Sequence, residues 1–419
     1  MLGVMALRCW LISVVCSFST RSELRDALLQ WYHADEATKL QLPHGAPGGW
    51  DVSSVTNMSG LFKDLEHFNE NISAWDTSKV VDMSSMFYGA AAFNMPIGEW
   101  NTSRVQTMNK MFWKATKFNQ PIGSWKTSAV INLYGMFYRA ASFDQPINAW
   151  DTASVRNMKG MFYGATNFNQ PIGSWKTAAV VDMSFMFQHA TSFDQPIGAW
   201  DTADVRDMKS MFYQAKMFNQ PIGSWNTSAV VDMSFMFQHA SSFNQPIGSW
   251  KTAAVVNMSF MFQYASSFDQ PIGAWNTANV RDMGNMFAGA VVFNQPIGLW
   301  NTSAVTDMQQ MFIGATSFDQ PISAWNTAGV RNMKGMFYEV PKFNQPIGSW
   351  NTAAVVDMSF MFQRASSFDQ PIGAWDTANV IDMRNMFTVA VAFSQPIGFW
   401  NTSAVTNMHQ MFHGASSFD

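Results

Sequence analysis

A single pattern of apolar and polar positions, 25 residues long, repeats from Trp50 to the end of the chain without one insertion or deletion. Counted from the Trp that opens each repeat as position 1, apolar residues recur at positions 1, 6, 9, 12, 13, 16, 19 and 23. One repeat cannot bury this many apolar side chains by itself, whereas stacked neighbours can. The pattern therefore predicts a solenoid of about 15 repeats of 25 residues.

Inside each repeat, the apolar spacing predicts a short helix over positions 8 to 19. In the repeat that opens at Trp175, an Asp at position 8 is placed to N-cap a helix, and apolar residues follow it at i, i+3, i+4 and i+7. These residues are Asp182, Met183, Met186, Phe187 and Ala190. Asp194 and Pro196 then end the helix, since Pro has no N–H to continue it.

A short strand completes the predicted repeat, and it has two possible places. The stretch from Ile197 to Trp200 is favoured because it follows the proline, and the alternative is Ala179 to Val181. Strands at the same position in stacked repeats would pair in a narrow parallel sheet, with the helices on its other side. The sequence thus predicts an α/β solenoid in which each repeat is a short strand plus a short helix.

The chain before the first repeat divides into two predicted parts. Residues 1–17 have the pattern of a signal peptide, with Arg8 as the only charge and an apolar run too short to span a bilayer. Residues 18–49 predict a helical cap for the open end of the solenoid, because Thr20 and Glu23 have capping-box spacing. An apolar stripe at helical spacing follows, formed by Leu24, Ala27, Leu28 and Trp31.

Residues 50–419 are the predicted repeat domain, and its last repeat is incomplete. The chain stops at Asp419 before the final Gln-Pro-Ile-Gly stretch, so the last apolar positions have no neighbour on their outer side. Open repeat ends associate with other chains unless a polar segment caps them. We expect either that the chain is a fragment of a longer protein or that it associates end to end through the uncapped repeat.

The repeat resembles a known family of surface proteins. The residues that carry the resemblance are Trp-Asp-Val-Ser-Ser-Val-Thr-Asn-Met-Ser-Gly-Leu-Phe from Trp50 to Phe62, and the Phe-Asn-Gln-Pro-Ile of later repeats. They are similar to the leucine-rich repeat in its BspA-like bacterial form, with Met, Phe and Trp where leucine is commoner. The resemblance implies a leucine-rich-repeat-like curved solenoid, usually at the cell surface, associated with adhesion and protein binding, and without a catalytic motif.

Composition narrows the classes of function. Charged residues make up 13% of the chain and the formal net charge is −4, so overall charge gives no reason to expect nucleic acid or a membrane surface as partner. The sequence has no nucleophile elbow, phosphate loop or zinc-protease motif, and its histidines have no metal-ligand spacing. We therefore expect no enzyme, no cofactor, no metal site and no membrane span.

Four repeated residue types suggest a chemistry, and each also has a structural explanation. Met-x-x-Met pairs suit Cu(I), but 28 of the 32 methionines lie at positions 9 and 12, where core packing explains them. Asp and Asn at positions 2, 8 and 20 are potential calcium ligands, although local capping accounts for them. An alternative role for the periodic Trp is a surface stripe that stacks on sugars. An alternative role for the Thr at position 3 is a row that binds ice.

Residues that vary between repeats are the candidates for binding a partner. At positions 7 and 10 some repeats carry basic residues, whereas others carry Val and Ser there, followed by Phe at position 11. The candidate binding residues are Arg156, Lys159, Phe185, Arg206, Lys209, Phe235, Phe260, Arg331, Lys334 and Phe360. Positions 7 and 10 would be neighbours across the start of the predicted helix, which predicts a banded face, basic then apolar. The alternative is a solvated face with each Phe tucked between repeats.

These observations favour a secreted or surface-displayed scaffold that binds protein or glycan, with adhesion as its role. The alternatives are a structural spacer of a cell coat without a specific ligand, and an ice- or carbohydrate-binding array. If residues 1–17 are not a signal, the expected location is the cytoplasm. Seven N-glycosylation motifs accord with secretion, at Asn57, Asn71, Asn101, Asn226, Asn257, Asn301 and Asn401.

Overall fold

The computed structural model describes residues 16–419, and the chain divides into two compact units. Met1–Pro171 is the N-terminal unit and Ile172–Asp419 is the C-terminal unit. The predicted signal peptide, residues 1–17, lies almost entirely outside the described residues. Both units contain the 25-residue coils that the sequence predicts, stacked on one another within the unit, so the solenoid prediction is confirmed.

Regular helix is confined to the segment before the first coil, as far as residues 16–419 are concerned. Helix α1 spans Arg21–His33 and begins with the expected capping box. In it the Thr20 side chain accepts the backbone N–H of Glu23, and the Glu23 side chain accepts the backbone N–H of Thr20. Helix α2 spans Glu36–Lys39, and a 3-10 turn spans Pro47–Gly49. From Trp50 onward the described chain has turns and single-residue bridges, so the helix and strand predicted for each repeat are wrong.

Each coil is instead built from tight turns. In the coil that opens at Trp100, the N–H of Met111 donates to the carbonyl of Met108 at 3.1 Å, and Ala115 donates likewise to Phe112 at 3.0 Å. Similar turns close positions 3 to 6, positions 16 to 19, and position 23 to the next Trp. The first and fourth residues of these turns are buried, so the core side chains come from the ends of the turns.

This geometry explains why the helix prediction was wrong. Successive four-residue turns at positions 9 to 12 and 13 to 16 bury residues at i, i+3, i+4 and i+7, which is the spacing that a helix produces. The third residue of each turn has a positive φ, however, with 57° at Lys110 and 58° at Lys114. A type II turn requires a left-handed residue at that place, and a right-handed helix cannot contain left-handed residues four positions apart.

Hydrogen bonds between coils replace those that a helix would make within itself. In the N-terminal unit the N–H groups of Ser85, Phe87 and Gly89 donate to carbonyls of the next coil, 24 residues ahead, at 2.7–2.8 Å. The residues between them donate locally, to the carbonyls that close the turns. A coil is therefore held in shape by its neighbour, which is the behaviour of a repeat array.

The sheet-like contacts between coils are parallel bridges one residue wide at position 8, such as the bridge between Asp82 and Thr107. They lie beside the alternative strand position, where the N–H of Arg206 donates to the carbonyl of Val181 at 2.9 Å. The favoured strand position forms a turn, because Trp200 donates to Ile197 at 3.1 Å.

The core of each unit is a set of side-chain ladders. The eight predicted apolar positions are buried in the interior coils; Trp100 is 3% exposed and Phe112 is 0% exposed. Phe112 lies 5.5 Å from Phe87 of the preceding coil and 3.9 Å from Phe118 of its own, with the rings stacked. Trp75 and Trp100 stack at 6.4 Å. Because identical rings lie above one another, the core repeats as strictly as the sequence does.

Two buried polar groups fix the register of one coil on the next. The indole N–H of Trp100 donates to the carbonyl of Ile72 at 3.2 Å. The hydroxyl of Thr102, which is 0% exposed, donates to the carbonyl of Lys126 in the next coil at 3.0 Å. A buried polar group without a partner costs roughly 1–3 kcal/mol, so a slip of register would be penalised in every coil.

Helix α1 caps the first coil through two arginines. Within the stack, carbonyls at positions 10, 12 and 14 accept N–H groups from the preceding coil, and for the first coil α1 takes that place. The side chain of Arg21 donates to the carbonyl of Ser59. Arg25 donates to the carbonyls of Leu61 and Lys63, the latter at 3.0 Å. The guanidinium groups thus supply the N–H donors that a preceding coil would supply.

The role of the arginines is testable by substitution. Removing both donors with Arg21→Ala and Arg25→Ala should destabilise the first coil by roughly 2–5 kcal/mol, because hydrogen bonds to charged groups are among the stronger ones. Amide hydrogen exchange between Met58 and Phe62 should accelerate. Arg364→Ala is the matched control, since the side chain of Arg364 forms an exposed ion pair with Glu339 at 2.6 Å and such pairs contribute about 1 kcal/mol or less. Unchanged exchange in the double variant would show that α1 is not a cap.

The core ladders give a second test in the C-terminal unit. Phe187→Ala removes a ring that is 0% exposed and stacks on Phe193 at 4.0 Å. A cavity of this kind should cost about 3–5 kcal/mol and loosen the coil around it first. Hydrogen exchange should therefore accelerate in this coil and its neighbour Trp200–Phe212 before it does so elsewhere in the unit. Equal protection throughout would contradict the ladder account.

Candidate binding face

The candidate binding face is formed by the middle residues of the two successive turns, at positions 10, 11, 14 and 15 of each coil. We call this surface the turn face. The residues on either side, at positions 9, 12, 13 and 16, are buried and nearly constant in type. A turn prescribes the backbone of its middle residues but not the type of their side chains. Most of these side chains are half-buried or exposed, although some, such as Ser184 and Ser234 at position 10, are buried. Variation between coils is therefore concentrated where a partner can meet it.

The structure brings some of the predicted binding residues into contact. In the C-terminal unit a basic residue at position 10 of one coil lies over the Phe at position 11 of the next. The ammonium of Lys209 is 5.7 Å from the ring centre of Phe235, and that of Lys334 is 5.9 Å from Phe360. The guanidinium of Arg384 covers Phe360 at 5.5 Å from the following coil. These distances are within the range of cation–π attraction.

The predicted residues at position 7 have no such contact among those described for residues 16–419. At position 7, Arg156, Arg206 and Arg331 are exposed. The described contacts between basic residues and Phe use position 10 and not position 7, because no helix start brings the two positions together. Lys159, Lys209 and Lys334 at position 10 are half-buried, and so are Phe185, Phe235, Phe260 and Phe360 at position 11.

The Phe residues at position 11 have an unfavourable backbone conformation. Phe185, Phe235, Phe260 and Phe360 all have φ between 59° and 61°. The same position is Gly335 in another coil, which adopts φ of 56° without the penalty. A left-handed bulky residue costs roughly 1–2 kcal/mol. Part of this cost is offset where Phe235 and Phe260 stack at 4.6 Å, so the rings pack partly on one another and partly face solvent.

A second feature of the turn face was missed by the sequence analysis. At position 14 of four successive coils in the N-terminal unit stand Tyr88, Trp113, Tyr138 and Tyr163. Their rings are stacked, with centroids 5.8 Å, 3.5 Å and 4.1 Å apart along the series. The signal for this run in the sequence is the recurrence of aromatic residues at one position, 14, in four consecutive coils. We call these four residues the aromatic ladder.

Burial and a hydrogen bond with Tyr163 raise the pKa of Tyr138 to about 12. The phenol is consequently neutral at physiological pH, and the charge of this part of the turn face comes from its lysines and arginines. Burial also raises the pKa of Tyr338 in the C-terminal unit.

The side chains on which three of the alternative chemistries depend are buried in the core instead of lying at the surface. The Met pairs are core residues as predicted, for example Met83 and Met86 at 0% exposed. The Trp stripe cannot stack sugars, since Trp200 is 3% exposed and its faces are taken up by Trp225 and Phe187. The Thr row cannot meet ice, because its hydroxyls are buried and donate to the next coil, as Thr102 shows.

The Asp and Asn residues are used inside the coils. The Oδ1 atom of Asp76 accepts the N–H of Ser78 at 2.9 Å, and these hydrogen bonds lower the pKa of Asp76. At position 20, Asn94 accepts the N–H of Asn119 in the next coil at 2.9 Å. Within residues 16–419 no group of three or more His, Cys, Asp or Glu is placed to hold a metal ion.

The glycosylation candidates fall outside the turn face. Asn101, Asn226, Asn301 and Asn401 are exposed at position 2, where their Oδ1 atoms accept the N–H two residues on. Asn71 is exposed at position 22, and Asn57 is exposed at a position 8 bridge. Asn257 is half-buried in a bridge of the same kind.

Sequence comparison identifies a matching protein family. The family described as "Mycoplasma protein of unknown function, DUF285" matches in overlapping segments at residues 33–149, 119–220, 195–298, 269–363 and 332–419. A search of curated proteins finds no match. Within residues 16–419 no helix is long and apolar enough to cross a membrane.

Comparison with solved structures returns matches of low similarity. A leucine-rich-repeat protein of Leptospira interrogans has 8% identity and a TM-score of 0.24, with 92% of this chain and 91% of that chain covered. The TLR13–ssRNA13 complex has 10% identity and a TM-score of 0.19, covering 90% and 68% of the two chains. The mouse RP105/MD-1 complex has 8% identity and a TM-score of 0.24, covering 83% and 59%.

The state of Tyr138 provides a pH test of the aromatic ladder. Its raised pKa means that the folded protein holds the phenol proton more tightly than the unfolded chain does. The stabilisation is fully present below pH 10, the unperturbed pKa, and is lost as the pH rises through about 12. An ultraviolet titration of tyrosinate, compared with Tyr138→Phe, should assign the latest-ionising tyrosine to this residue. Ionisation of Tyr138 near pH 10 would contradict its stacked, half-buried environment.

Proposed function

Because the chain belongs to the family described as "Mycoplasma protein of unknown function, DUF285", a repeat family without an assigned activity, we propose that it is a non-catalytic binding scaffold. Its partner is a protein or glycan, its location is the cell surface or the extracellular space, and its binding site is the turn face. In the C-terminal unit the site is formed by the predicted residues at positions 10 and 11, which are Lys209, Lys334 and the four Phe residues. Lys159 is a separate candidate of the N-terminal unit, and Arg156, Arg206 and Arg331, at position 7, are candidates outside the turn face.

The observation that carries this proposal is the left-handed conformation of Phe185, Phe235, Phe260 and Phe360. In the other coils position 11 carries Gly, Ser, Asn, Gln or Lys, for example Gly335, Ser210 and Lys110, and no other coil places an aromatic ring there. A half-exposed aromatic ring at a strained position lowers stability, and such strain persists where the side chain serves a function. Aromatic residues and Arg, such as Phe360 with Arg384 beside it, are also typical of the energetic centres of binding interfaces.

The proposal is tested by replacing the four Phe residues with Ser, the residue that other coils already carry at position 11. Folding should be retained, since Ser85 and Ser210 adopt the same positive φ. Capture of a partner from extracellular-matrix or cell-wall extract should be lost. Circular dichroism and thermal unfolding report the fold, and quantitative pull-down reports binding.

Phe399→Ser is the matched control, because Phe399 is 94% exposed at position 25 and outside the turn face. It should leave capture unchanged. Two outcomes would contradict the proposal. Loss of structure in the fourfold variant would mean that the rings serve packing between coils, and undiminished capture by a folded variant would favour a structural spacer.

A further inference from the structure

The aromatic ladder of the N-terminal unit is lined with cations. The ammonium of Lys63 lies 5.2 Å from the ring of Tyr88, and that of Lys110 lies 5.6 Å from Trp113. The guanidinium of Arg139 lies 5.7 Å from Tyr138 and 5.9 Å from Tyr163. Each ring of the ladder thus has a basic group over it. These contacts already restrict the long basic side chains in the free protein, so less rotamer entropy is lost when a ligand binds.

The charged residues at positions 10 to 19 of the four ladder coils are all basic. Between positions 10 and 19, the four coils of the ladder contain no Asp or Glu, and their basic residues are Lys110, Lys114, Lys117, Arg139 and Lys159. Among residues 16–419, Lys63, Lys110, Lys114 and Arg139 form no ion pair with a carboxylate. The net charge of the whole chain, −4, conceals this local excess because the acidic residues lie mainly at positions 2, 8 and 20. A surface of this kind is complementary to an anionic ligand.

An open groove of about 610 Å³ adjoins the beginning of the ladder. Its walls include Tyr88, Lys114 and Arg139, and one end carries Asp64 and Glu66. A ligand lying along the groove therefore meets cations over most of its length and acidic groups at one end. This difference in charge between the two ends of the groove favours a ligand whose own ends differ in charge over a polyanion of uniform charge.

The spacing of the ladder rings excludes nucleobases stacked between them. Trp113 stands 3.5 Å from Tyr138, and Tyr138 stands 4.1 Å from Tyr163. A base inserted between two rings would need about 3.4–3.8 Å on each side, so the stacking platform typical of single-strand binding is closed. What the ladder offers a ligand is ring edges, Tyr hydroxyls and cations, the combination found at the centres of protein interfaces.

Resting on the proposed scaffold function, we infer that the aromatic ladder and its cations bind an acidic, extended segment of a partner protein. Alternate side chains of an extended segment recur about every 6.6 Å on one side. Equivalent core rings of neighbouring coils in this unit recur at 5.5–6.4 Å. Acidic residues at every second position of the segment are therefore matched to the cations Lys63, Lys110 and Arg139, presented by the coils that open at Trp50, Trp100 and Trp125. The coil between the first two, which opens at Trp75, presents the ring of Tyr88 without a basic residue of its own at positions 10 to 19.

The probe is a synthetic peptide of about eight residues with Glu at alternate positions, a length that spans the four coils of the ladder. We expect saturable binding to the full chain by calorimetry or fluorescence, weakening as salt is raised. Quenching or enhancement of Trp113 fluorescence reports contact with the ladder. A peptide of the same composition with its Glu residues clustered at one end should bind at least about fivefold more weakly, since fewer coils can engage it.

Two sets of substitutions locate the site. Lys110→Gln combined with Arg139→Gln, and separately Trp113→Gln, should each weaken peptide binding at least about tenfold, because charge-assisted contacts and aromatic anchors dominate such interfaces. Gln is native at position 14 in other coils, such as Gln188 and Gln263, so folding should persist. Tyr213→Gln is the control at the same position in the C-terminal unit and should change peptide binding less than about twofold.

Competing ligands provide the results that would overturn the inference. Dextran sulfate binding more tightly than the peptide, with the same loss in the variants, would make the surface a site for anionic glycans. An oligothymidylate that does so would make it a site for nucleic acid. Peptide binding that is absent, or equal in the wild type and in folded Lys110→Gln/Arg139→Gln protein, would show that the ladder is not a peptide site.

Failure of this inference is distinguishable from failure of the proposed function. The function is tested by the Phe residues of position 11 in the C-terminal unit, whereas the peptide site is tested in the N-terminal unit. If the peptide does not bind but capture still depends on the four Phe residues, only the peptide inference fails. If capture is independent of the Phe residues while the peptide binds through Trp113, the banded site fails and the ladder remains.

Discussion

The hydrogen bonds that run from each coil to the next are the constraint on which the structure of both units depends. A coil made of turns has few hydrogen bonds of its own beyond those that close the turns, so alternate N–H groups must find acceptors outside it. In the N-terminal unit Phe87 finds one in Met111 of the following coil. Because every coil donates and accepts at the same positions, an insertion in one coil would leave buried polar groups unpaired in two, and the 25-residue period cannot drift.

The same constraint separates structure from function along the sequence. Ladders of Phe, Trp and Thr require the same residue at the same position in consecutive coils, so the core positions carry little information about a ligand. The middle residues of the turns are free of this requirement. The two units use that freedom differently: the C-terminal unit presents Phe at position 11 with cations beside it, and the N-terminal unit presents aromatic rings at position 14 flanked by Lys110 and Arg139.

How far the sequence could predict this site depends on the kind of signal at each position. The burial of Phe187 and Met183 follows from their strict recurrence, and the capping box of Thr20 and Glu23 follows from local spacing. The contact of Lys209 with Phe235 did not follow, because it joins residues one coil and one position apart. The predicted pairing of positions 7 and 10 rested on a helix that does not form, and the aromatic ladder is visible only when one position is read down successive coils.

By itself the sequence determined the period, the identity of the core and the solenoid class, because each depends on which residues are apolar and how often they recur. The start of the N-terminal helix followed from the local spacing of Thr20 and Glu23. The tertiary structure alone decided the backbone of the coil. Turns and helices bury the same i, i+3, i+4 and i+7 positions, and the choice between them depends on hydrogen bonds to a neighbouring coil that no local pattern contains. With that choice came the left-handed conformation at positions 11 and 15, and with it the placement of Phe360 and Arg139 on the surface.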